Sequence, residues 1–119
     1  MDKNVTVTRS LAMNREEFGT IIGVKGVLLG KYIRFKPDER VLLGRDSAQC
    51  DVVVPGIHIS GVHMELRFDR KTGRYVVTDK SRNGVVLNEK FKLVKNTPTE
   101  VERGSHLLIG DTENEIVLG

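Results

Sequence analysis

Three short stretches carry the side chains with the most chemistry in them. Gly44-Arg45-Asp46 ends an apolar run, Ser60-Gly61-Val62-His63 opens another, and Asp79-Lys80-Ser81-Arg82-Asn83-Gly84 precedes a third. Between them they offer two guanidiniums, two hydroxyls, an amide and small loop residues. No general acid–base pair or activated nucleophile assembles: nothing resembles a G-x-S-x-G elbow, and no third member accompanies a Ser/His pair. What such residues suit is an anion. Arginine presents a planar fork that binds phosphate oxygens bidentately, and a serine hydroxyl adds a short, directional hydrogen bond.

Each stretch also has a plainer reading. Alone, Arg45 reads as an edge arginine pairing with Asp46 or Asp79. His63 reads as structural, a ring that ties loops together. Asn83-Gly84 is the strongest short hairpin signal in the chain, because a type I′ turn needs positive φ at both central residues. Ser81 and Asn83 would then complete that turn, with Ser81 and Arg82 at a loop tip. His58, two residues before Ser60, reads first as a solvated loop histidine.

The surrounding chain reads as short strands. Lys31–Lys36 alternates with Ile33 and Phe35 on one face, and His63–Asp69 alternates with Met64, Leu66 and Phe68 inward. Apolar runs follow at Ile21–Val27, Val41–Leu43, Asp51–Val54, Tyr75–Val77, Val85–Leu87, Leu107–Ile109 and Ile116–Leu118. Turn residues separate them: Pro37-Asp38, Pro55-Gly56 and Arg70–Gly73, which closes a hairpin. About ten short strands punctuated every 8–12 residues predict an all-β sandwich or barrel. No segment beyond residue 20 sustains a helical period.

Composition narrows the partners. The chain has 119 residues, 39% hydrophobic and 29% charged, with 12 glycines and no tryptophan, so one domain with a Val/Ile/Leu core is expected. The formal net charge is +3, and the charges of residues 1–19 cancel. That surplus lies without a basic run in residues 20–119, which argues against nucleic acid but leaves a small anionic ligand open. Residues 1–19 are expected to be a flexible tail or linker, with Val5–Thr8 a short strand at most and Asn14 and Glu17 able to open one helical turn. There is no apolar run of signal or membrane length, and the single Cys50 permits no internal disulfide. A soluble cytoplasmic protein with no metal or cofactor is expected; Cys50, His58, His63 and His106 lack ligand spacing, and Cys50 reads as a small buried hydrophobe. Gly23–Gly30 is no P-loop, since Lys25 and Tyr32 occupy required Gly and Ser/Thr positions.

In order and spacing, Gly44-Arg45, Ser60-x-x-His63 and Asp79-x-Ser81-x-Asn83-Gly84-x-x-x-Asn88 resemble the forkhead-associated (FHA) domain. The likeness runs over residues 20–119 and includes the Gly23/Gly26/Gly30 strand and Cys50–Val54. It implies a sandwich of two twisted, mainly antiparallel sheets with about eleven strands. It implies a phosphothreonine-peptide recognition module in Ser/Thr-kinase signalling, not an enzyme. The alternative is a phospho-independent scaffold or oligomerisation domain with the same fold. On this resemblance Arg45 is similar to the main phosphate-binding arginine, and Ser60 to the serine that hydrogen-bonds the phosphate. Asn83 is similar to the asparagine that holds the peptide backbone, and His58 lies where flanking residues are chosen. His63 resembles the histidine bracing the loops, with Ser81 beside it, and Gly44, Gly84 and Asn88 resemble loop-shaping positions. Gly61 departs from the usual Arg or Asn, so phosphate contact there falls to its backbone N–H. Arg82 stands where threonine is common and is expected to add a second cation. Phosphorylated Thr6 or Thr8 in the tail is a further candidate ligand.

Overall fold

A computed structural model of the chain describes residues 18–111 and 113–119. The readings of Val5–Thr8, Asn14 and Glu17, and the candidate ligands Thr6 and Thr8, lie outside the described residues.

Among the described residues eleven strands form two sheets. The strands are β1 (Gly19–Lys25), β2 (Tyr32–Phe35), β3 (Val41–Gly44), β4 (Val52–Val53), β5 (Met64–Asp69), β6 (Arg74–Asp79), β7 (Val85–Leu87), β8 (Phe91–Lys92), β9 (Thr99–Val101), β10 (His106–Ile109) and β11 (Glu115–Leu118). One sheet has the order β2-β1-β11-β10-β7-β8, the other β4-β3-β5-β6-β9. All pairings are antiparallel except β3 with β4. This is the two-sheet sandwich that the resemblance implied, one of the two architectures, sandwich or barrel, that the strand pattern predicted.

The alternation that predicted the strands also builds the core. On β5, Met64, Leu66 and Phe68 are buried while Glu65, Arg67 and Asp69 are half-buried on the other face. They meet Ile21, Leu107, Ile109, Ile116 and Leu118 from the opposite sheet in one apolar cluster. Tyr75 spans the layers. Its ring packs against Phe68 and Phe35, with centroids 5.1 and 6.2 Å away. Its hydroxyl accepts the Thr20 N–H at 2.8 Å and donates to the Gly119 carbonyl, so the phenol is satisfied although buried. Burial raises its pKa, the hydrogen bond from Thr20 opposing.

Two sequence expectations are corrected here. Asn83-Gly84 is not a hairpin turn. Its flanking strands, β6 and β7, lie in different sheets, and of the two residues only Gly84 has positive φ, at 96°. The chain crosses between layers there, held by side chains: Asp79 Oδ1 accepts the Ser81 N–H at 2.9 Å, and Ser81 Oγ accepts the Gly84 N–H at 2.7 Å. These local bonds replace the turn chemistry that a hairpin would need. The positive-φ pair falls at Asn88 (51°) and Glu89 (64°), between β7 and β8, where Lys90 N–H closes the turn on Leu87 C=O at 3.0 Å.

Cys50 is the second. It is half-buried, and its thiol donates to the Gly61 carbonyl at 3.1 Å, so it joins two loops instead of filling the core. Desolvation raises its pKa, opposed by a backbone hydrogen bond at Asp46 and helped by the charges of Asp46 and Asp51.

Candidate functional site

The directions of the strands bring four loops to one end of the sandwich: β3–β4, β4–β5, β6–β7 and β10–β11. The first two are sewn together by backbone. Arg45 N–H donates to Ser60 C=O at 2.9 Å, Asp46 N–H to Gly61 C=O at 3.0 Å, and His63 N–H to Leu43 C=O at 2.8 Å. This is close approach. A Cβ built on Gly44 would stand 2.3 Å from the Gly61 oxygen and 2.8 Å from the His63 nitrogen, so only glycine fits.

His63 joins the β6–β7 loop to this pair. Its ring is fully buried. Nδ1 accepts the Ser60 N–H at 3.1 Å, which leaves Nε2–H to donate to Gly84 C=O at 2.9 Å. The Gly84 carbonyl also accepts the Gly110 N–H at 3.0 Å, so three loops meet on one oxygen. Burial lowers the pKa of His63, outweighing the Gly84 hydrogen bond and the charges of Asp79 and Asp111. The accepting Nδ1 calls for a neutral ring, the form that burial also favours. Behind it, Asp79 and Ser81 are each 2% exposed, with Ser81 O–H donating to Asp79 Oδ1 at 2.6 Å. Ser81 is thus inside the loop base, not at a tip, while Arg82 is exposed.

A cleft of about 360 Å³ opens among these loops, lined by Arg45, His58, Ser60, Gly61, Arg82 and Asn83 together with Ile57 and Ile59. All four residues expected to face phosphate, and both expected to face peptide, line it. Ser60 Oγ accepts the Arg82 N–H at 3.0 Å, and its own proton has no acceptor among the described residues. Gly61 N–H likewise has no partner among them, its carbonyl alone being engaged. The Arg45 ion pair with Asp46 or Asp79 is not formed. Asp46 turns to its own loop, accepting from Ala48 N–H at 2.9 Å and Gln49 Nε2 at 2.7 Å, and these bonds, Gln49 first, hold its pKa below the usual value. Asp79 turns to Ser81. The guanidiniums of Arg45 and Arg82 have no ion-pair partner among the described residues. Asn83 Nδ2 donates to His58 C=O at 3.0 Å and so fixes the β4–β5 loop from across the cleft.

Asn88 is elsewhere. It shapes the β7–β8 turn and ties it to β10, accepting His106 N–H on Oδ1 and donating N–H to His106 C=O, each at 2.8 Å. Sequence reasoning passed over Gly110, whose Cβ would meet the His58 oxygen at 2.5 Å. Its positive φ of 79° and its place after the β10 run are the signals that mark it.

The class comes first from the architecture: a β-sandwich, with eleven strands among the described residues, whose loops gather two cations without an ion-pair partner among those residues and the Ser60 hydroxyl at one rim. The chain belongs to the forkhead-associated family, the FHA domain matching residues 41–110. Solved structures share the fold. The FHA domain of an Arabidopsis thaliana hypothetical protein superposes with a TM-score of 0.76 at 24% identity, over 87% of this chain and 85% of that one. The FHA domain of the CT664 protein from Chlamydia trachomatis gives 0.74 at 18% identity, over 85% and 95%. The N-terminal FHA domain of S. cerevisiae Rad53p, solved in complex with a phosphothreonine peptide, gives 0.70 at 20% identity, over 84% and 90%. No curated protein sequence matches significantly. Among the described residues no helix is long and apolar enough to cross a membrane.

Proposed function

We propose that this protein binds phosphothreonine in peptide segments of partner proteins and links Ser/Thr-kinase signalling to protein association, without catalysing a reaction. The observation that carries this reading is that Arg45, without an ion-pair partner among the described residues, lines one open cleft with Ser60 and Gly61. A phosphothreonine brings a charge of about −1.5 to −2 and three strong acceptors. Arg45 supplies the fork and Ser60 its free proton, Gly61 contributes its N–H, and Arg82 adds a second cation. Asn83 and His58 then meet the flanking peptide. Because His63, Ser81 and Gly84 hold the loops in place before binding, little loop order remains to be gained, which lowers the entropy cost. The Rad53p domain with its phosphothreonine peptide supports the reading by analogy of fold. A ligand made by Ser/Thr kinases, and an unpaired Cys50, favour the cytoplasm.

Calorimetric titration with paired phosphorylated and unphosphorylated threonine peptides tests this. Binding is expected only with phosphate. Equal affinity for both would overturn the reading in favour of a phospho-independent scaffold. Thr6 and Thr8 of the same chain extend the ligand set. A tail phosphorylated at either should compete with added peptide, and undiminished peptide binding would remove that possibility.

A further inference from the structure

The two sheets differ in the faces they turn away from the core. The five-stranded sheet carries Glu65, Arg67, Asp69, Arg74 and Glu100 at outward positions, as a solvated face should. The six-stranded sheet does not. Its core residues Ile21, Ile116, Leu107 and Val85 alternate with Ile22, Val117, Leu108 and Val86, which therefore point outward and are half-buried. Pairing sets these side by side: Ile22 stands between Tyr32 and Val117, and Leu108 stands beside Val86. Tyr32, at the edge, is 66% exposed. One carboxylate interrupts the apolar band. Glu115 lies two residues from Val117 on β11 and opposite Leu108 on β10. Its side chain is 14% exposed, and His106 Nδ1 bonds its Oε2 at 2.7 Å, which leaves Oε1 without a partner among the described residues.

The N-terminal segment enters at the edge of this band. Gly19 lies opposite Phe35 of the core, so its neighbour Phe18 turns outward, and the Arg34 guanidinium stands 5.1 Å from the centre of its ring. Before Phe18 the sequence alternates: Val5, Val7, Arg9, Leu11 and Met13 at odd positions, Thr6, Thr8, Ser10 and Ala12 at even ones. In an extended chain the first set shares one side.

We propose that residues 5–13 dock extended on the outward face of the six-stranded sheet, apolar side down, with Arg9 paired to Glu115. The order of side chains carries the inference. Counted back from Phe18, the segment reads Leu11 and Met13, then Arg9, then Val5 and Val7. Counted from β1, where the chain enters, the face reads Ile22 and Val117, then Glu115, then Leu108 and Val86. Apolar meets apolar, and the one cation meets the one carboxylate with an open oxygen. Reach suffices: the step from Met13 to Phe18 spans up to about 17 Å, and residues 5–13 extend over about 30 Å against roughly 15 Å from β1 to β7. Docked in this way, the segment turns Thr6, Thr8 and Ser10 to solvent. None of the residues lining the phosphate cleft belongs to this face, so the inference stands apart from the phosphopeptide reading.

The test uses the whole 119-residue chain with Cys50→Ser and Ser10→Cys, a nitroxide on the new thiol and methyl-labelled Ile, Leu and Val observed by NMR without any peptide. The methyl signals of Ile22, Val86, Leu108 and Val117 should lose most of their intensity, while those of Leu42 and Val76, outward on the other sheet, keep theirs. Arg9→Glu, a change outside the two sheets, should restore the lost signals, and adding Glu115→Lys to it should remove them again. Equal broadening on both sheets, none on either, broadening that survives Arg9→Glu, or no return on charge exchange would overturn the docking. Broadening found only between a spin-labelled chain and a separate methyl-labelled chain would give the face to a second copy and overturn it equally.

Discussion

His63 and Gly84 are joined by a single hydrogen bond, Nε2–H to carbonyl at 2.9 Å, that fastens two loops 21 residues apart while the other ring nitrogen holds Ser60. The bond fixes the tautomer, and the tautomer fixes the charge: a protonated ring would lose the acceptor that Ser60 N–H needs. Removing the ring by His63→Ala leaves a cavity and an unpaired Ser60 N–H, while the Gly84 carbonyl keeps only the Gly110 N–H. It should cost about 3 kcal/mol in urea denaturation.

The same relationship predicts a pH dependence. Burial places the folded-state pKa of His63 below its ordinary value of 6.5. Below pH 6.5 the unfolded chain binds a proton that the folded chain refuses, so stability falls as pH drops from there towards the folded pKa. The slope is at most about 1.4 kcal/mol per pH unit for one group. Thermal or urea midpoints without ligand, from pH 7.5 to 5, measure it. A His63→Gln variant should show a shallower dependence.

Arg45→Ala should abolish most phosphate-dependent affinity, by roughly 10- to 100-fold if one charge-assisted contact is lost. Because the guanidinium has no partner among the described residues, the melting temperature should not move. Arg82→Ala should weaken binding less and flatten its salt dependence, since an exposed cation acts through a screened field. Calorimetry at low and high salt separates the two.

Gly44 and Gly61 should respond oppositely to substitution. A Cβ at Gly44 runs into backbone at 2.3 Å, so Gly44→Ala should cost about 2–3 kcal/mol and loosen the cleft. The nearest atom to a Cβ at Gly61 is Asp46 Cβ at 3.8 Å, an ordinary contact. Gly61→Asn or Gly61→Arg should therefore leave stability within about 0.5 kcal/mol. Either should raise phosphopeptide affinity by adding a side-chain donor where only the backbone N–H now serves.

Ser81→Ala removes a hydroxyl that both donates to Asp79 and accepts from Gly84 N–H. With the Gly84 N–H left unsatisfied inside the loop base, and Asp79 keeping only the backbone N–H of residue 81, a loss of about 1–3 kcal/mol is expected in chemical denaturation. Binding should fall with it, because Gly84 is where the loops converge.

Much of the molecule was legible in its residues. Alternation at Met64, Leu66 and Phe68 named one face of the core, and short apolar runs between Gly and Pro named the strands, because a half-buried strand has a period of two wherever it lies. The spacing of Arg45, Ser60 and Asn83 singled out the residues that line the cleft. The Asn83-Gly84 turn misled for a physical reason. Its sequence has hairpin chemistry, but Asp79 and Ser81 capture the backbone and send the next strand to the other sheet.

What the sequence by itself determined is the set of periodicities, the glycines and the side-chain chemistry, since these are properties of neighbours along the chain. Only the tertiary structure decided that Gly84 C=O would gather His63 and Gly110, that Asp46 and Asp79 would be engaged elsewhere and leave Arg45 without an ion-pair partner among the described residues, and that a second cavity would open beside the first. Those outcomes depend on which sheet each strand joins, and that is settled by contacts among segments tens of residues apart, which no local pattern records.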